Sequence, residues 1–147
     1  MQYYLSLGSN LGNREQTLRE AIQQIEQQIG EVPCCSSFYY SAPWGFVSEN
    51  EFCNVCCLLV TDKAPLEVLR LTQTIERTLG RTHKTIDAHY TDRIIDIDLI
   101  QAFDDEGNEK SFNFQFSTFN LIIPHPLWEQ REFVTVPLKE ISSRRGK

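Results

Sequence analysis

Nothing in this sequence reads as a membrane span, a secretion signal or a glycine cradle for nucleotide. No apolar run approaches the roughly 18–20 residues that a transmembrane helix requires. The opening MQYYLSLG is strand-like and has neither a basic n-region nor a cleavage site, so secretion is not signalled. Positive charge is in short supply: 14 Lys and Arg against 20 Asp and Glu leave a formal net charge of −6. Generic nucleic-acid binding needs surplus cations to neutralise phosphates, and this balance argues against it. A phosphate ligand stays open, because local arginines and bound cations decide that question. Neither GxxxxGK(S/T) nor GxGxxG occurs, so a nucleotide would be held by metal and side chains.

The five cysteines (Cys34, Cys35, Cys53, Cys56 and Cys57) are odd in number and lie mostly as adjacent pairs inside apolar runs. That suits neither a disulfide framework nor tetrahedral metal spacing, and the CxxC of Cys53 and Cys56 has no second pair and no nearby His. They read as small buried residues in a reducing cytoplasm.

What is present is ordinary for a globular protein: 41% hydrophobic and 23% charged residues over 147 positions. A chain of that length fits one domain, 1–147, and such a domain buries roughly 68–70% of its unfolded surface. Residues 2–8 read as a strand, broken by Gly8-Ser9-Asn10-Leu11-Gly12. Asn13 then suits the N-cap of a helix with Leu18, Ile22, Ile25 and Ile29 inward, stopped by Gly30. A β-prone segment, 32–40, leads to the loop 41–45, and 52–61 is a nearly continuous apolar strand. Pro65 opens a second helix with Val68, Leu71 or Thr72, Ile75 and Leu79 inward, and Gly80 is expected to end it. Residues 81–92 read as a long mobile loop, 93–101 as a strand, and 104–108 as a turn into further β-prone sequence. A short helix is expected after Pro126 and a last strand at 133–136. The order β-α-β-β-α-β fits an α+β, ferredoxin-like split β-α-β fold, an antiparallel sheet covered by two helices. That fold hosts many activities, so function must come from a site.

The most informative segment is 92–100, Asp-Arg-Ile-Ile-Asp-Ile-Asp-Leu-Ile. Side chains two apart on a strand share a face, so Asp96 and Asp98 project together while Ile95, Ile97 and Leu99 face the other way. Two carboxylates held so close repel unless a cation sits between them, and their hard oxygens suit Mg²⁺. The bland alternative is the solvated face of an amphipathic strand, although Asp is disfavoured in strands. Arg81 and Arg93 bracket the 81–92 loop and offer planar guanidinium groups for phosphate, the alternative being a solvated surface loop.

Taken in order, Gly8-Ser9-Asn10-Leu11-Gly12, Ser37-Phe38-Tyr39 before Pro43-Trp44-Gly45, Phe52-Cys53-Asn54 and Glu76 before Gly80-Arg81 form a series. Arg93-Ile-Ile-Asp-Ile-Asp, Ile123-Pro124-His125-Pro126, Arg131-x-Phe133 and Val136-Pro137-Leu138 complete it. Over essentially its whole length the chain resembles the 6-hydroxymethyl-7,8-dihydropterin pyrophosphokinases of folate synthesis. The resemblance implies transfer of pyrophosphate from ATP to the pterin hydroxymethyl group, releasing AMP. Asp96 and Asp98 would bind two Mg²⁺ ions, and Arg81 and Arg93 would neutralise the moving charge. Asn54 would bond the pterin edge, Phe52 and Phe133 would sandwich its ring, and the backbone of Ala42, Pro43, Trp44 and Gly45 would complete that pocket. Glu76, Leu99, His125 and Arg131 would meet nucleotide or phosphates, with Tyr90 in the place of an aromatic lid residue. Without the resemblance, Phe52 and Phe133 read as core and His125 as structural.

The chain departs from the family pattern in a longer 81–93 loop, in Tyr90-Thr91-Asp92, in Ile122 where a polar residue is usual, and in a longer, Phe-rich 104–120 segment. The partners implied are two small molecules, with no nucleic acid and no membrane, and a cytoplasmic chain that is a monomer, the alternative being a dimer through the Phe-rich segment. The competing reading is a non-catalytic ferredoxin-like module that binds a small ligand or a partner.

Overall fold

A computed structural model of the chain describes residues 1–42, 51–82 and 94–145. Its strands are β1 (Gln2–Ser9), β2 (Glu31–Cys35), β3 (Tyr39–Ser41), β4 (Phe52–Val60), β5 (Asp96–Phe103), β6 (Glu109–Lys110), β7 (Phe112–Gln115) and β8 (Asn120–Ile123). Its helices are α1 (Arg14–Gln28), α2 (Pro65–Thr82) and α3 (Glu132–Arg145), with a 3-10 turn at Trp128–Gln130. The main sheet runs β2-β4-β1-β5-β6 with β3 on β4, while β7 and β8 pair apart. Its β2-β4-β1-β5 core is antiparallel and carries the strand order of the expected split β-α-β fold.

The α1 start is set by Asn13, whose side chain accepts from the Gln16 N–H at 3.2 Å, and the Gly30 N–H closes the far end on the Ile25 carbonyl at 3.2 Å. In α2 it is Thr72, not Leu71, that turns fully inward beside Val68, Ile75 and Leu79. Their period places α1 and α2 on one face of the sheet over Tyr3, Leu5, Leu7, Val55, Ile97 and Leu99.

Four expectations are corrected. Residues 133–136 are not a strand but the first turns of α3, whose Val134, Leu138 and Ile141 bury against Tyr4, Cys56, Leu58 and Ile100 on the opposite face of the sheet. The sheet is therefore covered on both sides, by three helices rather than two. Gly80 does not end α2, which runs on to Thr82; nothing lies within 4 Å of where a Cβ would stand on Gly80, and a lone glycine weakens a helix without breaking it. Strand β5 begins at Asp96 rather than at residue 93, and the 32–40 segment divides into β2 and β3. The division falls where the Ser36 N–H bonds the Cys56 carbonyl at 2.8 Å and Glu140 of α3 accepts from the Ser37 N–H at 2.9 Å.

The cysteines form no disulfide, and Cys53, Cys56 and Cys57 are buried. Among the described residues no helix is long and apolar enough to cross a membrane.

Candidate active site

Alternation along β1 leaves Ser6 and Gly8 on the α3 side of the sheet while Leu5 and Leu7 enter the core under α1 and α2. The register sets Asp98 opposite Ser6 and Asp96 opposite Gly8. On the far side of β1, Gly8 is paired with Asn54. One row across three strands thus reads Asp96, Gly8, Asn54, and with strands spaced about 4.8 Å apart its ends lie about 10 Å from each other. Among the described residues, Ser6, Gly8, Asn54, Asp96 and Asp98 share this end of the face with the Phe52 ring. Asp96 and Asp98 are half-buried there, as their spacing predicts, with Ile97 and Leu99 in the opposite core.

A register shift between Tyr4 and Leu5 leaves Ile100 as an extra residue in β5. Its side chain enters the α3 core, and its carbonyl accepts the His125 backbone N–H at 2.9 Å. The His125 ring is fixed as well: Nδ1 accepts from the Leu127 N–H at 3.3 Å, which puts the proton of the neutral ring on Nε2. Burial first, and then Arg131, hold the His125 pKa below its ordinary value, with Asp96 pulling it up. Arg131 packs over the Phe133 ring, 5.8 Å from its centroid.

Glu76 comes to the same place from α2. Its Oε2 accepts the Ile97 N–H at 2.7 Å. Burial pushes its pKa to about 8; the Ile97 bond opposes this, while Asp96, which also hydrogen-bonds it, and Asp98 add to it. Beside this group lies a cavity of about 270 Å³. Leu69, Ile97, Leu99 and Ile122 supply apolar lining, and Asp98, Asn120 and His125 supply polar atoms.

At the other end of the row Asn54 is 2% exposed. Its Nδ2 donates to the Tyr39 carbonyl at 3.1 Å and to Ser41 Oγ at 2.9 Å, which orients Oδ1 toward Gly8. Phe52 is half-buried and pairs with Ser41, next to exposed Ala42.

The structure therefore gathers Glu76, Asp96, Asp98, Leu99 and His125 at one end of the sheet, with Asn54 and Phe52 two strands away. Arg81 falls in the last turn of α2. Pro43, Trp44, Gly45, Tyr90 and Arg93 lie outside the described residues. Sequence reasoning missed Ser6 and Gly8, although small residues alternating with Leu5 and Leu7 were a signal that this end of the β1 face carries no core. It also missed the bond from Glu76 to the β5 backbone, which no spacing announces.

The donor types suit a hard divalent cation: the carboxylates of Asp96 and Asp98 share one sheet face, half-exposed. Fold and site together define a ferredoxin-like α+β protein with an acidic pocket at one end of its sheet. Residues 4–143 match the family described as 7,8-dihydro-6-hydroxymethylpterin-pyrophosphokinase (HPPK). The chain belongs to that family. It is 39% identical to the 2-amino-4-hydroxy-6-hydroxymethyldihydropteridine pyrophosphokinase of Porphyromonas gingivalis, over 95% of this chain and 89% of the relative. The enzyme of the same name from Bacillus subtilis is 37% identical over 94% of this chain and 76% of its own length. The Bifunctional protein FolKE of Lactococcus lactis subsp. cremoris is 36% identical over 95% of this chain, which spans 37% of that longer protein.

Proposed function

We propose that the row Asp96, Gly8, Asn54 is the axis along which the two substrates of this pyrophosphokinase meet. The enzyme transfers the pyrophosphoryl group of ATP to the hydroxymethyl oxygen of 6-hydroxymethyl-7,8-dihydropterin in folate synthesis. The row carries the assignment because it sets a carboxylate pair about 10 Å from a buried amide, with Gly8 between them and the Phe52 ring against it. A flat bicyclic ring over Gly8, with its polar edge at Asn54, points its hydroxymethyl end at the aspartates.

Asp96 and Asp98 would hold two Mg²⁺ ions on the triphosphate. Bound there, the ions neutralise oxyanion charge and polarise the phosphorus–oxygen bonds. The protein's own groups do the positioning. Asn54 Oδ1 accepts from a ring N–H, Phe52 and Phe133 flank the ring, and the backbone from Ala42 to Gly45 completes recognition of its polar edge. Leu99, with the apolar lining of the 270 Å³ cavity, receives the nucleotide base. His125 Nε2–H and Arg131 donate to phosphate oxygens, and Tyr90 covers the nucleotide. Arg81 and Arg93 follow the charge as the bond from the β-phosphorus to the α–β bridging oxygen breaks and the new bond to the substrate oxygen forms. Positioning and preorganised electrostatics supply most of the acceleration. The same reading has a monomer in the cytoplasm, acting on two small molecules without nucleic acid or membrane.

The test is product analysis. ATP, Mg²⁺ and the pterin should give AMP and the pterin diphosphate, and D96A should lower kcat/KM by roughly 10²–10³-fold with an unchanged circular dichroism spectrum. Formation of ADP, or full turnover by D96A, would refute the assignment.

A further inference from the structure

We propose that Glu76 is a positioning residue that fixes the backbone between the two site aspartates, an assignment that rests on the metal reading above. Ile97 lies between Asp96 and Asp98, and its N–H points away from β1. Among the described residues, β6 is the only strand on that outer edge of β5, and it meets β5 only at Ala102 and Phe103. No strand there accepts the Ile97 N–H. Glu76 Oε2 does so at 2.7 Å, reaching across from α2. The peptide that sets the direction of both carboxylates is thereby tied to a helix, and the helix is anchored in the core through Val68, Thr72, Ile75 and Leu79.

This differs from a nucleotide contact, because the oxygen concerned is committed to the strand. It also differs from metal ligation, because its bonds go to the backbone between the pair and to Asp96 itself. Partners that orient metal ligands typically cost roughly 10–100-fold in metal affinity when removed. Two replacements separate the roles. Gln keeps a carbonyl oxygen at the same reach, so it can still accept the Ile97 N–H but is a poor cation ligand. Met fills the volume and accepts nothing of that strength.

The experiment uses the full chain with saturating ATP and pterin, and reads the Mg²⁺ concentration for half-maximal turnover together with amide exchange at Ile97. E76Q should stay within about threefold of the parent, while E76M should need about tenfold more Mg²⁺, keep most of its kcat at saturating Mg²⁺, and lose protection at Ile97. Equal increases in E76Q and E76M, with Ile97 still protected in E76Q, would make Glu76 a direct ligand or nucleotide contact and overturn the proposal. An unchanged E76M would overturn it too. Should E76M fail to fold, E76D decides the matter: its carboxyl is one carbon short, so retained Ile97 protection and parental Mg²⁺ dependence would overturn the proposal. D96N in the same assay guards the premise, since unaltered Mg²⁺ dependence there would sink the metal reading and not the role of Glu76.

Discussion

Gly8 and Asn54 face each other across the β1–β4 ladder so closely that a Cβ on Gly8 would stand 3.0 Å from Asn54 Oδ1. The same atom would lie 3.5 Å from Phe52 Cδ1. Asn54 cannot retreat without giving up the Tyr39 and Ser41 bonds that orient it. G8A should therefore raise the KM for pterin by about tenfold, equivalent to about 1.4 kcal/mol, with little change in the KM for ATP. Equal effects on both substrates would show that Gly8 does not border the pterin alone.

The Asn54 amide uses both of its N–H groups inside the protein. N54D replaces that double donor with acceptors aimed at the Tyr39 carbonyl, leaving a buried group unsatisfied at a cost of about 1–3 kcal/mol. In a domain of this size each kcal/mol lowers Tm by roughly 2–4 °C. S41A removes one partner only and should cost less. A calorimetric scan in which N54D melts with the parent protein would refute this account of the orientation.

His125 makes stability depend on acidity in a definite direction. Its folded-state pKa lies below its ordinary value, so the unfolded chain binds the proton first as pH falls. The contribution of the neutral ring is fully present above the unfolded pKa of about 6.5 and is lost between that value and the lower folded one. Urea denaturation at a series of pH values should show H125Q losing less stability than the parent across that window. Parallel curves for the two proteins would refute the assignment, as would nitrogen NMR placing the proton of the neutral ring on Nδ1.

Helix α3 is integral to the fold rather than an appendage. Ile141 is 0% exposed, and I141A should destabilise the protein by about 2–5 kcal/mol, since it removes transfer energy and leaves a cavity. A loss below about 1 kcal/mol would mean that this face of the sheet is packed by something other than α3.

Local rules made much of this readable in advance. Asn13 announced the start of α1, the 3.6-residue stripe gave both helices on the first face, and period two put Asp96 and Asp98 side by side. The failures came where tertiary contacts decide. Phe-Val-Thr-Val at 133–136 has strong β-propensity, and Pro137 offers no N–H to the Phe133 carbonyl one turn back. The segment is helical because Val134, Leu138 and Ile141 then line up over the sheet. Glu76 entered only as a nucleotide or phosphate contact implied by the family resemblance. Only the folded arrangement shows it reaching the β5 backbone, because the open edge it serves depends on how far β6 extends.

The surplus residue at Ile100 makes β5 two strands in phase terms, one facing ligands and one facing core. With Ile100 in place but no bulge, alternation counted back from Ala102 and Phe103 would turn Asp96 and Asp98 under α1 and α2, and send Ile97 and Leu99 outward. The bulge and the residue count of β5 are therefore matched to each other. Deleting Ile100 would straighten the strand and keep the aspartates on the wet side, whereas ironing out the bulge with every residue retained would exchange the wet and dry sides of the catalytic edge.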